Sequence, residues 1–296
     1  MDTVKIGTIK NSESIFLPIR GLNYHVRAWG DPNAPKILML HGWMDVSASF
    51  QFVVDELRRD WRVLAPDWRG FGLTDWASAD CYWYPDYLAD LDALITNLQP
   101  NQAMNIVGHS MGGNIASLYA GIRPERVAAF VNLEGLGMRD SNPDDAPKKY
   151  AQWLDDLNKP QRLRSYPSYD DLAARLLESN GRLSAERAGF LARHWGEQAE
   201  DGSINLRSDP NHKRVNPVLY RGAEVAACLK RISAPVLWVE GGLTDMFSKF
   251  RLSRPEIDAR KGEIAQCESR TIEDAGHMMH HEKPEIIARA IEGFLT

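Results

Sequence analysis

Two rhythms of apolar residues alternate along this chain. Compact runs of about five apolar residues mark strands buried on both faces, while apolar positions recurring every three or four residues mark amphipathic helices. Residues 36–40 form one compact run, ending at His41-Gly42, and residues 61–65 form a second, ending at Pro66-Asp67. Between them Phe50, Val53, Val54 and Leu57 keep helical spacing, so a strand, a helix and a strand follow one another. Leu88, Leu91, Ile95 and Leu98 predict the next helix, with Pro85 near its start, where a missing N–H costs nothing. A strand at residues 105–107 leads into a helix carrying Ile115, Leu118, Tyr119 and Ile122, and further strands are predicted at 127–133, 235–239 and 268–272. Ile287, Ile291 and Phe294 close the chain with a helix entered through Pro284. Ahead of all this, residues 14–19 and 23–29 read as a hairpin turned at Gly21. Strands alternating with helices imply an α/β fold whose mainly parallel sheet is covered on both faces.

Residues 138–231 interrupt the rhythm. Helical patches at 172–177 and 185–193 are broken by Pro143, Pro147, Pro160, Pro167, Pro210 and Pro217, and no buried-strand run is seen. Tyr150, Trp153, Tyr166, Tyr169, Phe190 and Trp195 fall here. They either pack a small core of the insertion's own or line a pocket beneath a lid. The division expected is therefore a core of residues 1–137 and 232–296 with a helical cap at 138–231.

Composition narrows the function classes. The chain has 296 residues, 44% of them hydrophobic, and a net charge of -5, which leaves no positive excess for nucleic-acid phosphates. The three cysteines, Cys81, Cys228 and Cys267, lack the close pairing of a zinc or redox site and are expected to be free thiols. The N-terminal stretch mixes Lys5, Lys10, Glu13 and Arg20 among short apolar pieces, unlike a signal peptide, and nothing approaches the roughly 20 apolar residues of a membrane span. A cytoplasmic protein with a small acyl substrate, uncharged or cationic by the chain's negative charge, no nucleic-acid or membrane partner and no cofactor or metal is expected; the oligomeric state is left open.

The candidate chemistry centres on Gly108-His109-Ser110-Met111-Gly112. A serine hydroxyl is a weak nucleophile until a base takes its proton, and a sharp strand-to-helix turn is one way to expose it. Gly108 and Gly112 leave room for that turn, Gly113 adds more, and the predicted strand before and helix after supply the required context. The Met111 N–H, opening the helix, is one candidate oxyanion donor; the Trp43 N–H, after the strand that ends at His41-Gly42, is the other. Among eight histidines, His277 in Asp274-Ala275-Gly276-His277 follows the last strand and is the expected base. His280 and His281 compete, but these three histidines lack a carboxylate at zinc-motif spacing, and His109 reads as structural. Asp245, beyond the strand at 235–239, is the expected acid, with Glu134 at the end of 127–133 as its rival and Glu240 too close to its strand to reach. Asp67-Trp68-Arg69-Gly70-Phe71-Gly72 lacks the third glycine and the lysine of a phosphate loop and reads as a rigid turn.

Together these motifs resemble the α/β-hydrolase family throughout the chain outside the insertion. His41-Gly42-Trp43-Met44-Asp45, with Asp201-Gly202 and Asp209-Pro210, resembles more narrowly a serine-hydrolase-like subgroup of esterase and lipase type. The resemblance implies an eight-stranded sheet, a cap after the sixth strand, an acyl-enzyme and no cofactor. Haloalkane dehalogenases and epoxide hydrolases are similar but place aspartate at the nucleophile position, so Ser110 points instead to carbonyl substrates. A carboxylic-ester hydrolase is the leading expectation. Hydrolysis of a carbon-carbon bond and a ligand-binding protein of low turnover are the alternatives.

Overall fold

A computed structural model describes residues 9–295. Residues 1–8, which include the Lys5 cited above, and Thr296 lie outside the described residues. The opening hairpin pairs β1 (Ser12–Ile19) with β2 (Leu22–Trp29), turned by Arg20 and Gly21 in the left-handed region. Then come β3 (Lys36–Leu40), α1 (Gln51–Glu56), β4 (Arg62–Pro66), α2 (Tyr84–Leu98), β5 (Met104–His109), α3 (Met111–Ile122) and β6 (Val127–Leu133). The inserted stretch holds α4 (Ala146–Leu157), α5 (Tyr169–Ser179), α6 (Ala185–Trp195), a ribbon of β7 (Gly196–Gln198) and β8 (Ile204–Leu206), and α7 (Gly222–Leu229). The chain ends with β9 (Val236–Gly241), α8 (Met246–Lys249), α9 (Arg254–Gly262), β10 (Cys267–Ile272), α10 (Met279–Glu282) and α11 (Pro284–Phe294).

Eight strands form one sheet in the order β1-β2-β4-β3-β5-β6-β9-β10, parallel from β4 onward. Side chains alternate between its faces. Leu38, Leu40, Ile106, Phe130 and Trp238 pack on one side beneath α2 and α3, while Ile37, Met39, Val107, Val131 and Val239 pack on the other beneath α1 and α11. This accounts for continuous apolar runs where a half-exposed strand would alternate. Because the parallel strands share a direction, His41, Ser110, Glu134 and the loops after β9 and β10 all emerge at one edge.

The interrupted stretch is not uniformly helical. Its β7–β8 ribbon is too short to stand out as an apolar run, and its Ile204 joins Tyr166, Leu172 and Ala192 in a small separate core. Tyr166 belongs to that small core and Tyr150 lines the cavity above Ser110, as the two expected roles have it, while Phe190 packs against Phe52 of α1 instead. The end of the stretch behaves differently: α7 packs so closely on α3 that a side chain at Gly121 would strike the Cys228 backbone. All three cysteines are free. Among the described residues no helix is long and apolar enough to cross a membrane.

Candidate active site

Ser110 sits between the last residue of β5 and the first of α3 with φ 52° and ψ -114°, a left-handed conformation that costs a non-glycine residue of order 1–3 kcal/mol. Its neighbours make the turn feasible. A Cβ on Gly108 would lie 2.7 Å from the Gly113 backbone, and one on Gly113 would lie 2.5 Å from Asn132 Oδ1. The Ser110 N–H donates to the Leu133 carbonyl at 2.9 Å, which ties the turn to the end of β6.

His277 reaches the same edge from the loop after β10. Its Nε2 lies 3.0 Å from Ser110 Oγ and its Nδ1 lies 2.7 Å from Glu134 Oε2. Gly276 is held by its N–H donating to Glu282 at 2.7 Å. The His277 carbonyl accepts from His109 Nε2 at 2.9 Å, so the histidine beside Ser110 braces the loop carrying His277.

The carboxylate beside His277 is not the expected Asp245. Asp245 is 61% exposed, pairs with Lys249 at 2.9 Å and makes no contact with His277. Glu134 is buried and occupies that place. The reason is strand order: β6 lies directly beside β5, so a residue one step beyond β6 stands next to Ser110, whereas β9 is one strand farther away. The β9 loop serves Glu134 instead, through the Gly241 N–H at 2.7 Å and the Thr244 hydroxyl at 2.9 Å. Asn132 steadies the turn from below, accepting from the Gly135 N–H at 2.7 Å. Glu240, as expected, stays away, bound to Arg254 at 2.6 Å and Lys261 at 3.2 Å.

Of the two expected oxyanion donors, Met111 directly follows Ser110 and Trp43 follows Gly42, which packs against Ser110. Met111 opens α3, so its N–H is one of the first-turn donors that have no acceptor within the helix. A Cβ on Gly42 would come within 3.2 Å of Ser110 Cβ, which shows how closely the loop carrying Trp43 approaches. His41 fixes that loop: its Nδ1 bonds the Gly42 carbonyl at 2.8 Å and its Nε2 accepts from the Trp68 N–H at 2.9 Å. Met44, Ser110 and Glu134 all have positive φ, so three of the five such non-glycine residues described surround this site.

Beneath the loop lies a polar cluster that the sequence did not reveal. Asp45 Oδ2 stands 3.5 Å from His280 Nε2 and 4.0 Å from His281 Nε2, all three residues buried. Asp45 Oδ1 accepts from the Val46 N–H at 2.8 Å and from the Ser49 hydroxyl. Burial opposes charge on Asp45, but His280, His281 and His41 outweigh it and hold the carboxyl well below its usual range. Burial likewise pushes His109 and His281 well below the ordinary imidazole value. Asp45, His109 and His280 bring one carboxylate oxygen and two ring nitrogens within 4.8 Å of one another, so they are the described residues best able to hold a cation. No spacing rule finds this set, because Asp45 and His280 come from opposite ends of the chain.

Asp67 forms the rigid turn expected of its motif. It accepts from the Ser47 N–H at 2.6 Å, the Leu73 N–H at 2.9 Å and His25 Nδ1 at 2.7 Å. Above the site Ser110, Met111, Glu134 and Trp43 border a cavity of about 870 Å³, whose other walls include Tyr82, Tyr84 and Tyr150.

Comparison with known proteins agrees with this architecture. The chain is 27% identical to the serine hydrolase-like protein of Danio rerio, the alignment covering 97% of this chain and 90% of that protein. It is 28% identical to the 3-hydroxybutyrate-oligomer hydrolase of Cupriavidus necator over 92% of each chain. Among solved structures, the thioesterase domain from the curacin biosynthetic pathway superposes with a TM-score of 0.85 at 24% identity, covering 95% of this chain and 99% of that one, which shows a shared fold. The family model described as "alpha/beta hydrolase fold" matches residues 35–284. With that match spanning most of its length, the chain belongs to the α/β-hydrolase fold family.

Proposed function

We propose that this chain is a serine hydrolase of carboxylic esters and related acyl substrates, with Ser110 as nucleophile, His277 as base and Glu134 as orienting acid. The observation that carries the reading is the unbroken path Ser110 Oγ, His277 Nε2, His277 Nδ1, Glu134 Oε2, with steps of 3.0 Å and 2.7 Å. With its Nδ1–H donated to Glu134, neutral His277 presents a bare Nε2 to the serine hydroxyl. As Ser110 Oγ attacks the carbonyl carbon, its proton passes to His277, and Glu134 stabilises the imidazolium that results. The carbonyl oxygen becomes an oxyanion facing the Trp43 and Met111 N–H groups, each such donor contributing roughly 3 to 4 kcal/mol to the barrier reduction. His277 then protonates the leaving alcohol, leaving Ser110 acylated. Water, deprotonated by the same histidine, releases the acid and restores the serine.

Relatives named as a serine hydrolase-like protein and as an oligomer hydrolase support the reaction class. Residues 138–231 act in this reading as a cap, with Tyr150 in the cavity wall. Three free thiols accord with work in a reducing compartment such as the cytoplasm. Treating the purified protein with a fluorophosphonate probe should give one covalent adduct, mapped to Ser110 by mass spectrometry and lost in Ser110→Ala. Failure of the probe to label Ser110 would refute the proposal.

A further inference from the structure

The cavity above Ser110 is apolar over much of its wall, yet three basic side chains border it: Lys149, Arg214 and Arg221. Their charges are not spent on the protein. Among the described residues none of the three forms an ion pair, and Lys149 and Arg221 make no side-chain hydrogen bond. Arg214 donates once, from Nη1 to the Asp80 carbonyl at 3.1 Å, and its Nε has no acceptor. A guanidinium has five donors, so most of Arg214's capacity is unused. Two carboxylates share the wall, but Glu134 is committed to His277, leaving Glu224 against three cations. This local positive excess runs against the chain's net charge of -5. Low-dielectric walls concentrate the field of such groups within a cleft.

Building on the serine-hydrolase reading, we propose that the preferred substrate carries an anionic group remote from its scissile carbonyl, received by Arg214 with Lys149 and Arg221. The cavity's apolar residues would hold the connecting chain. A cavity of about 870 Å³ accommodates both parts at once.

Matched 4-nitrophenyl esters test this: the pentanoate, the hydrogen glutarate, whose acyl chain ends in a carboxylate, and the corresponding ester ending in a phosphonate. The anionic esters should be hydrolysed with kcat/KM at least tenfold above the pentanoate, mainly through KM. The gap should narrow as salt screens the partly exposed cations. The better of the two anions identifies the group. Arg214→Gln should reduce kcat/KM for the better anionic ester about tenfold more than for the pentanoate. Equal or better turnover of the pentanoate by the native protein, or equal losses on both esters in Arg214→Gln, would overturn the proposal while leaving the hydrolase reading intact. Binding separates the opposite case: calorimetry on Ser110→Ala with glutarate monoanilide and with pentananilide reads the anion preference without turnover. If no ester is hydrolysed and the monoanilide still binds at least tenfold tighter, the hydrolase reading fails and the anion site stands.

Discussion

Glu134, one residue beyond β6, accepts a 2.7 Å hydrogen bond from His277, while Asp245 at the end of the β9 loop pairs with Lys249 in solvent. Replacing the acid with its amide should leave His277 in the wrong tautomer for accepting the serine proton. Glu134→Gln is therefore expected to lower kcat on a 4-nitrophenyl ester by about 10³–10⁴-fold, and Asp245→Asn by less than about twofold. The reverse ranking in steady-state kinetics would return the acid to the β9 loop.

Thr244 donates its hydroxyl to the same Glu134 oxygen that His277 contacts, at 2.9 Å. A hydrogen bond to a charged acceptor contributes about 1.5–3 kcal/mol, and only part of that is felt in the transition state. Thr244→Val, close in shape, should lower kcat about tenfold with little change in KM, and Thr244→Ser should restore most of the loss. Unchanged kcat in the valine variant would mean that the Gly241 N–H holds the carboxylate unaided.

Stability should fall on acidification well before the carboxylates titrate. Burial holds His41, His109 and His281 below the ordinary imidazole value, and it lowers His212, stacked between Phe71 and Tyr82, to about 3. In the unfolded chain these groups take up protons near pH 6.5, whereas the folded protein leaves them neutral. Each thus adds stability that is fully present above about pH 6.5 and is lost as pH falls toward its folded value, at about 1.4 kcal/mol per pH unit. Denaturant midpoints should drop steeply from pH 7 to pH 5, and His212→Phe should reduce the slope by about one proton. A flat profile would show that these histidines are protonated in the folded state. Near pH 4 Asp67, whose burial is outweighed by the hydrogen bond from His25 so that its carboxyl sits at about 2, begins to add a further loss.

The sheet and the Ser110 turn were readable because their causes are contiguous. Residues 36–40 are apolar throughout because both faces of β3 are covered, and Gly108, Gly112 and Gly113 lie beside the serine whose turn they permit. The place of His277 near Ser110 was readable as well, since a short loop after the last strand carries it. The short ribbon at β7 and β8 was not, because three-residue strands show no periodicity.

Local sequence therefore determined the strands of the main sheet and the helices between its early strands, which serine is exposed at a strand-to-helix turn, and which histidine stands near it. Only the tertiary structure brings Glu134, and not Asp245, against His277. Both follow a strand and keep the same chain order, and the choice rests on which strand hydrogen-bonds to β5. The meeting of Asp45 with His280, and of Arg214 with the cavity above Ser110, was decided in the same way. Such contacts arise where distant segments share one sheet edge, and spacing along the chain carries no record of that proximity.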